Sequence, residues 1–123
     1  MEKILVIDDE PQILLIVSTR LKASGYTVFT TSSGEEGLQK AKEEGPDLIF
    51  LDHIMPGMDG DEVLDRLKED PSTKYIPVVM FTADAKRVKV GEYQARGAID
   101  CLFKPFLPEE LISKVQEIFG KSS

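Results

Sequence analysis

The chain has 123 residues, which is enough for one domain with a buried core and too few for two. Its 15 basic and 22 acidic side chains give a net charge of −7, which argues against direct nucleic-acid binding and against an anionic membrane surface, because both would repel it. The single cysteine, Cys101, excludes an internal disulfide bond, and without a membrane-length apolar stretch or a secretion signal we expect no membrane insertion and a cytoplasmic location.

Short apolar runs alternate with helical patterns along the chain. An apolar run bounded by polar residues predicts a strand buried on both faces, whereas apolar residues recurring at helical spacing predict a helix. In chain order the patterns predict strand 4–7, helix 11–24, strand 26–30, helix 34–44, strand 48–51, a helix around 63–70, strand 78–81, helix 87–96, strand 101–103 and helix 108–119.

Helix ends carry further signals. Pro11 and Pro108 fit first helical turns, Ser33 with Glu36 predicts a capping box, and Gly45 is suited to ending the second helix. The segment after residue 52 contains one proline and two glycines, at positions 56, 57 and 60, which predict an irregular loop. The fourth helix lacks a clean apolar stripe, so its register is not fixed by the sequence.

Strands that alternate with helices predict an α/β fold, because each parallel crossover needs a helix to return the chain. The predicted architecture is a three-layer α/β/α sandwich with a five-stranded parallel sheet in the doubly wound, flavodoxin-like order 2-1-3-4-5. Sheets of this kind bind ligands at the carboxyl ends of their strands, where the strand order reverses. We therefore expect the site at this edge of the sheet.

Polar residues stand at the ends of four of the predicted strands. Asp8 and Asp9 follow the first, Asp52 the third, Thr82 the fourth and Lys104 the fifth. Three clustered carboxylates repel one another, and a divalent cation would keep them ionised; an all-oxygen donor set favours Mg²⁺, with Mn²⁺ as the alternative. The ammonium and the hydroxyl suit phosphoryl oxygens, and Asp52 is the candidate covalent acceptor.

With these residues in place, the chain resembles the receiver domains of two-component response regulators, similar to the stand-alone chemotaxis type. The resemblance covers essentially the whole chain. The matching segments are Ile4–Glu10, Asp47–Asp52, Met55–Gly60, Phe81–Ala83 and Lys104–Phe106.

The resemblance implies a phosphorylation-activated signalling switch and not a metabolic enzyme. Asp52 would accept a phosphoryl group from a sensor histidine kinase or a histidine phosphotransfer protein, with only self-catalysed transfer and dephosphorylation as its chemistry. Asp8 and Asp9 would hold Mg²⁺ with the Ile54 backbone carbonyl, and Thr82 and Lys104 would contact the phosphoryl oxygens. A cis peptide before Pro105 is implied as well. Residues 1–120 would form the receiver, with 121–123 as a tail.

The switch departs from the family pattern. An aromatic residue usually stands three positions before the lysine, where this chain has Cys101, and Phe103 on the same strand face could replace it only in part. We expect output to use backbone and helix shifts on the face formed by the fourth helix, fifth strand and fifth helix, which would bind a downstream partner. The residues expected to modulate the phosphoryl lifetime are Ile54 and Asp84, two positions beyond the acceptor and the threonine, and Ala83 is expected to be a further switch or modulating residue.

Each of these residues also has a purely structural interpretation. An isolated Asp after a strand is often a cap, Thr82 could be a β-branched strand residue, and Lys104 could stabilise the acidic loop without touching phosphate. His53 is interpreted as a loop residue beside the site and not as a ligand.

Three other functions are alternatives to this one. A flavodoxin is disfavoured by the acidic loop after the first strand, and an aspartyl-phosphate hydrolase would need an Asp-x-Asp pattern there. The third is a pseudo-receiver that keeps the fold without the chemistry.

Overall fold

The computed structural model describes residues 2–83 and 90–120, and it has the predicted alternation of strands and helices. In chain order the elements are β1 (Lys3–Ile7), α1 (Pro11–Ala23), β2 (Thr27–Thr31), α2 (Gly34–Glu44), β3 (Leu48–Asp52), α3 (Gly60–Glu69), β4 (Val78–Thr82), α4 (Val90–Ala95), β5 (Asp100–Phe103) and α5 (Pro108–Phe119). The second strand lies one residue later than predicted. The fourth helix lies within its predicted span of 87–96, of which residues 87–89 lie outside the described residues.

The sheet confirms the predicted topology. All its strand pairs are parallel, and the order is β2-β1-β3-β4-β5. The register pairs Ile7 with Leu51, Asp52 with Phe81, and Thr82 with Phe103. The polar residues at the strand ends are therefore brought to one edge of the sheet, as the sequence predicts.

Alternate strand residues bury opposite faces of the sheet in two separate cores. Leu5 and Ile7 belong to the core beneath α2, α3 and α4, whereas Ile4 and Val6 belong to the core beneath α1 and α5. The central strands β3 and β4 are buried along their whole length, which accounts for their uninterrupted apolar sequence. Among the described residues, the structure has no helix with the length and apolar character needed to cross a membrane.

The helix ends follow the sequence signals with one difference. The Ser33 side chain accepts a hydrogen bond from the Glu36 backbone N–H at 3.2 Å, and Gly45 ends α2 with a left-handed φ of 55°. The predicted capping box is half formed, because the Glu36 carboxylate accepts from the Ser33 hydroxyl at 3.0 Å and not from its backbone. Asp59 was not predicted as a cap, but its side chain caps α3 by accepting a hydrogen bond from the Glu62 N–H at 3.0 Å.

Gly60 does not interrupt regular structure, and that part of the prediction is wrong. It is the first residue of α3, and its backbone N–H donates to the His53 carbonyl at 2.9 Å. A Cβ at this position would lie 2.1 Å from the Asp52 carbonyl oxygen. A residue without a side chain is therefore needed here, because α3 begins in direct contact with the end of β3.

Candidate functional site

Four carboxylates meet at the carboxyl edge of β1 and β3. One oxygen each from Asp8, Asp9, Glu10 and Asp52 lies within 4.8 Å of the others. Asp8 is fully buried and Asp52 is 5% exposed, whereas Asp9 is half-buried and Glu10 is exposed. The predicted convergence of the three aspartates is present, and Glu10 joins them. The sequence contained that signal, because Glu10 directly follows the acidic pair.

Lys104 supplies the positive charge inside this cluster. Its Nζ lies 2.8 Å from Asp8 Oδ2, 3.1 Å from Glu10 Oε1 and 3.3 Å from Asp52 Oδ1. Burial by itself would lower the pKa of this ammonium, but hydrogen bonding to Asp8 and the charges of Asp52 and Asp8 outweigh burial, so the pKa is raised. Lys104 therefore remains a cation beside the carboxylates.

The Asp52 carboxyl is difficult to ionise in this environment. Burial is the main cause and the neighbouring charge of Asp8 the next, and together they raise its pKa from 3.8 to about 7 although Lys104 opposes them. A single ammonium thus does not compensate the clustered negative charge. A further cation at this edge would favour the ionised, nucleophilic form of Asp52.

The donor atoms in the cluster fit Mg²⁺. They are all carboxylate oxygens, which hard divalent cations prefer, and they come from side chains that lie close enough to share one ion. The nearest imidazole is directed elsewhere, since His53 Nε2 lies 3.6 Å from Asp61 Oδ1. His53 lies beside the site, as predicted, and borders the cavity that opens there.

A cavity of about 290 Å³ opens at the cluster. Its lining residues are Asp9, Glu10, Asp52, His53, Ile54, Ala83 and Lys104. Two of the residues predicted to modulate the site, Ile54 and Ala83, therefore border the space that a group on Asp52 would enter, and the Ile54 side chain is 71% exposed. The third predicted modulator, Asp84, lies outside the described residues.

Thr82 and Lys104 lie side by side at the next strand ends. Thr82 is the last residue of β4, is 1% exposed, and its carbonyl accepts a hydrogen bond from the Lys104 backbone N–H at 2.7 Å. The Lys104–Pro105 peptide bond is cis. Phe106 anchors the following loop, because its ring packs at 5.0 Å on Phe81.

Cys101 and Phe103 point to the same side of β5, as predicted from strand alternation. Both pack against the core beneath α3 and α4, Cys101 buried and Phe103 half-buried. Burial, and then the charge of Asp100, raise the pKa of the Cys101 thiol to about 11, so this residue behaves as a small apolar side chain. Tyr93 from α4 packs in the same core.

Sequence comparison identifies the family to which this site belongs. Residues 4–116 match the response regulator receiver domain. The alkaline phosphatase synthesis transcriptional regulatory protein PhoP of Bacillus subtilis is 40% identical over 121 residues, which cover 98% of this chain and 50% of that protein. The DNA-binding dual master transcriptional regulator RpaA of Synechocystis is 39% identical over 99% of this chain and 51% of its own length. The chain thus spans about half the length of these curated relatives.

Solved structures give the same result. The chemotaxis protein CheY4 of Vibrio cholerae has a TM-score of 0.89 at 36% identity, covering 96% of this chain and 98% of that one. The receiver domain of the sensor histidine kinase PA1611 of Pseudomonas aeruginosa, with magnesium coordinated in its active-site cleft, has a TM-score of 0.88 at 25% identity over 98% of both chains. With these relatives, this fold and this acidic edge, the chain belongs to the response regulator receiver domain family, the phosphorylation-activated signalling switches of two-component systems.

Proposed function

We propose that Asp52 is the phosphoacceptor of this receiver. The observation that carries the proposal is the placement of a buried carboxylate at a cavity, with other carboxylates and the Lys104 ammonium around it. One Asp52 oxygen forms a bond to phosphorus while the bond from phosphorus to a donor imidazole nitrogen breaks, and the donor keeps that electron pair. The product is an acyl phosphate, which water later hydrolyses to restore the carboxylate.

Asp8, Asp9 and Asp52 would hold Mg²⁺, together with the backbone carbonyl of Ile54. The support is the all-oxygen cluster in this chain and the magnesium in the cleft of the PA1611 receiver. When bound, the ion supplies positive charge that offsets the phosphoryl oxygens and keeps Asp52 ionised. Mn²⁺ accepts the same donors and is the alternative cation.

Lys104 and Thr82 would bind the phosphoryl oxygens. The Lys104 Nζ is 3.3 Å from Asp52 Oδ1, so it can reach a phosphoryl oxygen on Asp52 without a shift of β5. Thr82 ends the adjacent strand and offers a short hydroxyl group. At the rim of the cavity, Ile54 and Ala83 would set how easily water attacks the phosphoryl group, and we assign the same role to Asp84.

The chemistry remains on the protein itself, as self-catalysed transfer and dephosphorylation, so the chain is not a metabolic enzyme. Its donor would be a sensor histidine kinase or a histidine phosphotransfer protein in the cytoplasm. A downstream protein would bind the face formed by α4, β5 and α5, while residues 1–120 would act as the receiver unit. Nucleic-acid binding is not proposed for this acidic domain, although several of its longer relatives are transcriptional regulators.

Phosphorylation by acetyl phosphate tests the acceptor. The protein is incubated with Mg²⁺ and acetyl phosphate, and intact mass is expected to show one added phosphoryl group that hydroxylamine removes. Asp52→Asn should show none. Asp47→Asn is the matched control, since it makes the same change on an exposed residue just before β3, at the opposite end of that strand from Asp52, and it should be loaded like the wild type. An adduct retained by Asp52→Asn, or loading unaffected by a chelator, would contradict the proposal.

A further inference from the structure

An interhelix cluster centred on Asp61 joins α3 to α4. The Tyr93 hydroxyl donates to Asp61 Oδ1 at 2.8 Å, and Arg96 approaches Asp61 Oδ2 at 3.3 Å. Arg96 also donates to the Asp61 backbone carbonyl at 3.2 Å and to Asp65 Oδ2 at 2.8 Å. Asp61 therefore uses both side-chain oxygens and its carbonyl to hold the end of α4.

The same cluster contacts the loop that carries the acceptor. His53, the residue after Asp52, places Nε2 at 3.6 Å from Asp61 Oδ1, and its ring meets that of Tyr93 edge-on at 5.7 Å. Its backbone is fixed on both sides, since the His53 N–H donates to the Phe81 carbonyl at 2.9 Å and its own carbonyl accepts from Gly60 at 2.9 Å. A shift at Asp52 is thus transmitted to the ends of β4 and α3 through direct bonds.

Tyr93 is well suited to hold α4 in place. Tyr93 is 6% exposed, and its ring packs in the same core as Cys101. Burial, and then the bond to Asp61, raise the pKa of the Tyr93 hydroxyl, so it stays protonated and remains a donor at any physiological pH.

The end of α4 has a second, independent attachment. The Ala98 N–H donates to the Tyr93 carbonyl at 3.0 Å, and the Ile99 N–H donates to the Val78 carbonyl on β4 at 2.9 Å. Gly97, with a φ of +105°, packs against the Lys68 side chain of α3. The Asp61 bonds can therefore be lost without detaching the chain from the sheet, because β5 and the turn before it are held separately.

We propose that the Tyr93–Asp61 hydrogen bond is a latch that holds α4 against α3 in the unmodified protein, and that activation has to release it. This rests on the proposed phosphorylation of Asp52. A phosphoryl group adds about −1.5 to −2 charges at Asp52, the residue before His53, and attracts the end of β4 toward its oxygens. Because His53 is bonded to Phe81 of β4 and also contacts Asp61, movement of β4 opposes the latched arrangement, so the latch sets the threshold for activation.

Reciprocal linkage makes the latch measurable. If activation must break the Tyr93–Asp61 bond, removing that bond in advance raises the affinity of the site for any ligand that favours the activated state. Tyr93→Phe deletes only the hydroxyl and keeps the buried ring. Tyr75→Phe is the matched control, because the same change falls on a side chain that is 83% exposed. The probe is beryllium fluoride with Mg²⁺, which occupies the position of a phosphoryl group, with binding followed by fluorine NMR.

We expect Tyr93→Phe to bind beryllium fluoride about 5-fold to 10-fold more tightly than the wild type, since a hydrogen bond to a charged acceptor is lost only from the unmodified state. Its α4 amides should also exchange hydrogen faster before the probe is added. Asp61→Asn, which keeps the side-chain shape, should change the affinity in the same direction, and Tyr75→Phe should match the wild type.

The outcomes separate the two proposals. Equal or weaker binding by Tyr93→Phe and Asp61→Asn, with a wild type that binds the probe, overturns the latch and leaves Asp52 as acceptor. A wild type that neither binds beryllium fluoride nor is labelled by acetyl phosphate counts against the proposed phosphorylation, and with it against the latch. Tighter binding by Tyr75→Phe equal to that of Tyr93→Phe also overturns the latch, since the effect would not depend on Asp61.

Discussion

Asp52, the proposed phosphoacceptor, lowers the stability of the protein when it is ionised. Its folded pKa of about 7 is higher than its ordinary value of 3.8, so between these limits the folded protein holds a proton that the unfolded chain has released. Stability from this group is therefore fully present below about pH 4 and is lost as the pH rises through about 7. Ionisation of the buried Asp52 near neutral pH therefore lowers the free energy of unfolding.

Asp52→Asn should therefore stabilise the metal-free protein at pH 8 and have little effect at pH 4. One unit of pKa shift corresponds to about 1.4 kcal/mol, and after allowance for solvent screening we expect a gain of about 1–2 kcal/mol at the higher pH. Urea denaturation in EDTA at both pH values measures it.

Magnesium provides the control for this pH effect. In saturating Mg²⁺ the wild type should instead be more stable than Asp52→Asn at pH 8, because only the wild type has the full set of carboxylate ligands. A gain of the same size at pH 4 and pH 8 would show that ionisation of Asp52 is not its cause.

The residues of the site were predictable to different degrees. Asp8, Asp52 and Lys104 follow apolar strand runs, and the parallel topology alone brings such positions to one edge. Glu10 was visible in the sequence, but its bond to Lys104 depends on side-chain reach that strand patterns do not describe. The Tyr93–Asp61 contact was not predictable, since it depends on how α4 packs on α3 and the apolar pattern of α4 does not fix its register.

At the scale of elements, the close contact of β3 with the start of α3 decides how the acceptor is presented. The sequence predicts a loop at Gly60, because glycine usually marks a turn. A local sequence pattern cannot show that a neighbouring backbone approaches too closely for a Cβ. In the structure this glycine is the first residue of α3, where that close approach excludes a side chain.

Gly60→Ala should destabilise the protein and disturb the site. The new Cβ would lie 2.1 Å from the backbone oxygen of Asp52, which has no rotamer by which to yield, so α3 or the end of β3 has to move. We expect a loss of about 2–4 kcal/mol in the free energy of unfolding, together with slower labelling by acetyl phosphate.

Gly91→Ala is the matched comparison on α4. The substitution is chemically identical, but a Cβ there meets nothing within 4 Å, and alanine favours helix over glycine by about 1 kcal/mol. It should leave stability unchanged or raise it. Thermal denaturation of both variants provides the measurement, and a similar loss in the two would indicate that the contact with β3 is not responsible.

At the scale of the whole molecule, the proposed cation site joins segments that are far apart in sequence. Asp8 and Asp9 follow β1, Asp52 ends β3, and Lys104 follows β5, so the acidic cluster is complete only when the sheet is folded. A ligand that binds only the folded state stabilises the entire domain by mass action, which gives global unfolding as a readout of local binding.

Mg²⁺ should therefore raise the Tm of the chain. At a concentration about 100 times its Kd it adds about 2.7 kcal/mol, equivalent to a rise of about 10 °C for a domain of this size. Asp9→Asn should abolish most of the rise, because it removes a proposed ligand. Glu10→Gln should retain most of it, since Glu10 is 59% exposed at its side chain and is bonded to Lys104. An equal loss of the Tm rise in both variants would place Glu10 among the ligands. A full Mg²⁺ response in Asp9→Asn would contradict the proposed site, because a cation held without Asp9 cannot be bound by the acidic pair after β1.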